Sequence, residues 1–267
     1  MLPIRKTMRT SLVTMMMLAF LCVSCSNNQR PEKKTSDTVP QLLIYCGITM
    51  VSPMMEIAKI IEQEKNCKIK LTYGGSLHLK KSIEINQKGD LYFPGNDSFL
   101  TSMVEDKTVI DTVQVGHNKA IIMVPKGNPR HISNDLNSFT NSDYSVVIGA
   151  QKSGSIGRET KKIFQAMGIY EDVLANAVYL TTDSKGLSKA IRNQDADMVI
   201  NWKAAAFLDE NRPLIDVIAI DEQYAKKRNL VLGMLKYTKH KEIVARFMEY
   251  ASSPTGQEIF KRFGFLD

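Results

Sequence analysis

From Leu42 onward, short apolar runs alternate with stretches whose apolar residues recur every three or four positions, the signature of strands followed by amphipathic helices. The run LLIYC (42–46) reads as a buried strand, and Ser52-Pro53 opens a helix with Met55, Ile57, Ala58, Ile60 and Ile61 at helical spacing. A strand KIKLTY (68–73), a helix from Ser76 to Asn86 and a short strand DLYF (90–93) follow. This βαβαβ order predicts a doubly wound parallel sheet. The rhythm then breaks, because TVIDTVQVGHNKAIIMVPKGNP (108–129) holds two strands without a helix between them, as expected where the chain crosses to a second lobe.

A second α/β series comes next: YSVVIGA (144–150), a helix from Ser155 to Met167, extended NAVYL (176–180), a helix from Ser184 to Asn193, ADMVIN (196–201) and IDVIAI (215–220). The run NLVLGMLKY (229–237) predicts a return crossover, and the last 27 residues read as two helices packing back on the first lobe. The expected fold is α/β and two-lobed, each lobe a doubly wound, mostly parallel sheet, joined by two hinge crossovers. Lobe I takes 41–122 and 233–267, and lobe II takes 123–232. No internal repeat is visible.

The amino terminus follows a different pattern. Arg5, Lys6 and Arg9 precede an apolar run from Leu12 to Val23 that is short for a membrane span and ends at Ser24-Cys25. Cys22-Val23-Ser24-Cys25 resembles a bacterial lipobox with Cys22 in place of the usual leucine. That resemblance implies a signal peptide over 1–24 and a lipid on Cys25, anchoring the protein to a membrane on the periplasmic side of the cell envelope. Residues 25–40 lack apolar clusters and read as a flexible tether.

Composition narrows the function. The formal charge of +7 falls to +4 once Arg5, Lys6 and Arg9 are removed, and no basic block remains, so nucleic acid is not an expected partner. Cys46 closes one strand and Cys67 precedes the next; in a parallel pair, at about 3.3 Å per residue, they lie too far apart for a disulfide. Two free, buried thiols are expected. The four histidines and these cysteines show no metal-ligand spacing, and no cofactor motif is present.

In such sheets ligands bind beyond the carboxyl ends of strands, where helix starts present free N–H groups. Four stretches stand there: Ile48-Thr49, Gly74-Gly75-Ser76, Ser153-Gly154-Ser155-Ile156-Gly157 and Asp183-Ser184. Each alone is an ordinary helix N-cap, worth about 1 kcal/mol without any ligand. Two hydroxyl-bearing helix starts from each lobe, converging on one cleft, instead predict a tetrahedral oxyanion site built from neutral donors and helix dipoles. Asp183 reads as an N-cap, and His78 as a rim or surface residue. Lys152, Arg158 and Lys203 read as solvated charges; any of them reaching the anion would end the neutral character of the site.

These stretches are similar to the periplasmic molybdate-binding components of ABC importers, the ModA type. YCGITMVSPMMEI, YGGSLHLKKSI with GDLYFPGND, GAQKSGSIGRETKKIFQAMGI, TTDSKGLSKAIRNQDADMVINW and the closing GQEIFKRFGF resemble that family's motifs in order and spacing across residues 42 to 266. The resemblance implies that Thr49 and Ser76 contact the ligand through hydroxyls and Ile156 and Ser184 through backbone N–H groups. Trp202 takes the place of a ligand-contacting tyrosine, and Gly75, Ser155 and Lys203 are additional candidates. It further implies a monomeric, non-enzymatic binding protein for molybdate or tungstate that delivers to an ABC permease. Sulfate or another oxyanion is the alternative ligand. An exported phosphate- or sulfate-ester hydrolase is the alternative class, although Ser153 stands where a G-x-S-x-G nucleophile elbow needs glycine and no histidine is suitably spaced.

Overall fold

A computed structural model describes residues 39–266. The expected signal peptide, Cys25 and nearly all of the expected tether lie outside the described residues. The chain opens with β1 (Gln41–Gly47), α1 (Val51–Lys65), β2 (Lys68–Gly74), α2 (Ser76–Asn86) and β3 (Leu91–Phe93). β1 pairs in parallel with β2 on one side and β3 on the other, as the alternating pattern predicts. α1 ends where Asn66 turns left-handed at φ 46° and returns its N–H to the Glu62 carbonyl, and α2 ends likewise at Gln87.

A short α3 (Thr101–Glu105) precedes β4 (Val109–Asn118), after which β5 (Ala120–Pro125) belongs to another sheet. The second series is β6 (Val146–Gly149), α4 (Ser155–Ala166), α5 (Tyr170–Asn176), β7 (Ala177–Thr181), α6 (Ser184–Arg192), β8 (Val199–Trp202) and β9 (Ile215–Ala219). β10 (Arg228–Leu235) returns to the first sheet, and α7 (Lys241–Ser252) and α8 (Pro254–Arg262) close the chain.

The first sheet has the order β2-β1-β3-β10-β4, with β10 antiparallel to both neighbours. In the second lobe β5 lies antiparallel between β8 and β9, while β6 and β7 run parallel and β6 bridges in parallel to Met198. The antiparallel members are the strands that carry the chain between lobes. α5, which sequence periodicity did not indicate, occupies part of the stretch after α4.

Both faces of β1 are covered, as a central parallel strand requires. Leu42, Ile44 and Cys46 meet α1 through Met54, Ile57 and Ile61, and α7 and α8 through Phe247 and Phe260. Tyr45, on the opposite face, packs with Leu79 and Ile83 of α2 and with Tyr92 and Phe99. The C-terminal helices therefore do pack on the first lobe. The second lobe has its own core, in which Phe139, Phe164, Val147, Ile200 and Leu187 are almost wholly buried. Burying each such side chain contributes about 1.5–3 kcal/mol. Cys46 and Cys67 are free and buried, and burial pushes both thiols above their ordinary pKa.

Candidate functional site

Every strand of the first lobe that runs parallel ends at the same place. β1 passes through Gly47 into a 3₁₀ turn at Ile48–Met50, β2 through Gly74 and Gly75 into α2, and β3 into Pro94-Gly95. From the second lobe α4 starts at Ser155 and α6 at Ser184, both facing this edge. Together they line a small, tight cavity. Its lining includes Thr49, Gly75, Ser76, Ser155, Ile156, Ser184 and Trp202, seven positions that the sequence had singled out from separate motifs.

The hydroxyls are held in defined roles. Ser76, 2% exposed, accepts from the Gly95 N–H at 3.0 Å, so its own O–H is left to donate. Ser155 accepts from the indole N–H of Trp202 at 3.0 Å and is likewise left with its O–H. Thr49 donates to the Met50 sulfur at 3.1 Å, a weak acceptor that a stronger one displaces at little cost. The first amides of α4 and α6 have no acceptor within their own helices. In α6 the Asp183 carboxylate accepts from Lys185 N and Gly186 N at 2.9 and 3.1 Å, which confirms it as an N-cap and leaves Ser184 N outside that cap.

Trp202 lines the cavity, and its indole N–H donates to Ser155, whose hydroxyl it orients. Lys203 is absent from the cavity lining; its backbone N–H binds the Lys119 carbonyl and it opens the 3₁₀ turn Lys203–Phe207. Lys152 and His78 are solvent-exposed. Arg158 is not simply solvated: its guanidinium lies 3.8 Å over the Phe99 ring and donates to Ser98 Oγ at 3.2 Å, a contact from second lobe to first.

Other groups fix the frame. Tyr92 donates its O–H to the Ser76 carbonyl at 2.7 Å, and burial raises its phenol well above the ordinary tyrosine range, so it remains a donor. Asn201, fully buried, donates to the Ser184 carbonyl at 3.0 Å and accepts from Trp202 N at 2.8 Å, joining α6 to β8. Glu159 of α4, also fully buried, takes Nε and Nη2 of Arg228 on one oxygen at 2.8 and 2.7 Å.

Gly47 and Gly95 also line the cavity, although sequence reasoning had not assigned them to it. A Cβ on Gly75 would lie 2.8 Å from the Ser153 carbonyl oxygen and 3.2 Å from that of Thr182, across the cleft. The Leu77 N–H donates to the same Ser153 carbonyl at 3.2 Å. The PGND segment was the available signal for Gly95, but its partners Ser76 and Ser155 are remote in sequence.

A cleft between two α/β lobes, lined by amides, hydroxyls and the helix-capping carboxylate of Asp183, is the arrangement of a solute-binding protein. The chain belongs to the family of bacterial extracellular solute-binding proteins, whose model matches residues 42–266. It is similar to the putative ABC transporter substrate-binding lipoprotein YvgL of Bacillus subtilis, 25% identical over 256 residues that cover 92% of this chain and 94% of that one. The periplasmic molybdate-binding protein of Azotobacter vinelandii has the same fold, with a TM-score of 0.72 at 11% identity, over 85% of this chain and 99% of that one. So does PEB3 solved with L-phospholactate, with a TM-score of 0.66 at 21% identity, over 85% and 99%.

Proposed function

We propose that this protein is the substrate-binding lipoprotein of an ABC importer and that it captures a tetrahedral oxyanion, molybdate or tungstate, between its lobes without performing chemistry on it. The observation that carries the reading is the donor arrangement: Ser76 and Ser155 each accept a hydrogen bond from the protein, leaving each hydroxyl with a proton to give. Thr49, the amides of Ile156 and Ser184, and the helix starts behind them supply the remaining donors. Trp202 acts through Ser155. The YvgL relative and the Azotobacter neighbour support a transport role and this ligand class.

Ligand choice follows from protons. Molybdate, tungstate and sulfate carry none at neutral pH, whereas inorganic phosphate keeps at least one that needs an acceptor. Asp183 takes both capping amides on Oδ1, so a bound phosphate proton finds an acceptor only if Asp183 Oδ2 turns to it, and otherwise stays unpaired at a cost of about 1–3 kcal/mol. Sulfate is the second reading on the same donors. The protein would work in the cell envelope, held by lipid on Cys25 and tethered by residues 25–40, as a monomer delivering to a membrane permease. Lobe I (41–122 and 233–267) and lobe II (123–232) would close about the anion at the two crossovers.

Calorimetric titration with molybdate, tungstate, sulfate and phosphate tests this. Saturable heat is expected with molybdate and tungstate and none with phosphate. Binding of phosphate alone would refute the donor-only site, and heat with no anion would refute the oxyanion class.

A further inference from the structure

The anion cavity does not end the cleft. Ile48, Thr49 and Ser184 line it on one side and on the other line a second, roomier compartment that also lies between the lobes. The two spaces are therefore adjacent, with Thr49 and the start of α6 at the boundary between them. The walls of the second change character: Val51 and Tyr73 come from the first lobe, and Ala205 and Leu208 from the second. Its rim carries Lys185 and Glu210. Glu210 is paired with Arg192 at 3.2 Å, whereas among the described residues Lys185 is bound only through its backbone N–H, to Asp183. The compartment thus offers an apolar body and one uncompensated cation at its mouth.

We infer that the cleft also takes phosphate monoesters with a short anionic arm, the phosphoryl head in the tight cavity and the arm in the second compartment. This rests on the oxyanion reading above and extends it to a substrate class. A phosphate monoester loses its second proton near pH 6, so above neutrality its three terminal oxygens are bare acceptors. The hydroxyl and amide donors suit that head, whereas the dianion of inorganic phosphate keeps a proton for which the lining offers only Asp183 Oδ2. The fourth vertex of the tetrahedron is the ester oxygen, which needs no donor and would face the boundary formed by Thr49 and Ser184, which must part to let the arm through. A carboxylate on a two-carbon arm would lie in the compartment that Lys185 borders. A bare anion leaves that space to solvent.

Displacement of molybdate from the purified protein, followed by calorimetry slightly above neutral pH, tests the assignment with ethyl phosphate, phosphoglycolate and inorganic phosphate. Both esters are expected to displace molybdate, phosphoglycolate more tightly, and inorganic phosphate not to. Leu208→Trp, which fills the compartment, should weaken both esters by about tenfold or more and leave molybdate within about twofold. Lys185→Ala should weaken phosphoglycolate alone. Should the tryptophan variant fail to fold, Leu208→Phe serves the same purpose. Molybdate binding without ester binding would overturn this inference alone. So would ester affinities that ignore Leu208 and Lys185. Failure of every anion to bind would overturn the oxyanion reading and this inference with it.

Discussion

Ser76 and Ser155 show how a neutral residue becomes a one-way donor. A free serine hydroxyl can accept or donate; once a fixed N–H occupies its lone pair, donation to the ligand is what remains. A hydrogen bond to a charged group contributes about 1.5–3 kcal/mol, so Ser76→Ala and Ser155→Ala should each weaken molybdate binding by about ten- to hundredfold, measured by titration. Trp202→Phe leaves the Ser155 hydroxyl in place but removes what orients it. A smaller loss, of about three- to tenfold, is expected in the same assay, and a loss as large as that of Ser155→Ala would return the indole to direct contact with the ligand. Ser76 was legible because a hydroxyl at a helix start is a local pattern. The engagement of the Trp202 N–H was not, since Trp202 and Ser155 are brought together only by folding.

At the scale of elements, two of the helix starts that frame the cavity are capped differently. α4 begins after Gly154 with no side-chain cap, so its first amides face the cavity; α6 begins after Asp183, whose carboxylate takes two of them. Asp183→Ala should cost about 1 kcal/mol in a denaturant titration, and Asp183→Asn only a fraction of that, because asparagine caps equally well. Strands and long helices were legible because their periodicity is local. α3, five residues long, and α5, seven, are too short to display a full apolar stripe, and tertiary packing fixes them. Thr49 was expected just before a helix, and its 3₁₀ turn places it inside the cavity instead of on the helix itself.

At the scale of the whole molecule, closure depends on bare backbone meeting bare backbone. Gly75 has φ −67°, a value that alanine adopts freely, so Gly75→Ala should fold normally. Its methyl would nevertheless press on the Ser153 and Thr182 carbonyls, which move only if the lobes part. Overpacking of this kind costs about 1–3 kcal/mol, so affinity should fall by about ten- to hundredfold. X-ray scattering with saturating anion should also show a more extended particle than the wild type, while an unchanged profile would deny that Gly75 limits closure. Arg158, read from sequence as a solvated charge, belongs to the same seam through Phe99 and Ser98. No local pattern could have shown that, because the contact exists only between lobes.

Trp202 is the single tryptophan of the chain, and it is 1% exposed beside the anion cavity. Its indole would meet water when the lobes separate and lose it when they close. The protein consequently carries one indole emitter at the seam between its lobes, with no second tryptophan to dilute the signal, so its emission colour would report whether the cleft is open. Unlabelled protein could serve as an optical gauge of its own cargo, even in mixtures where calorimetry has too little material to read.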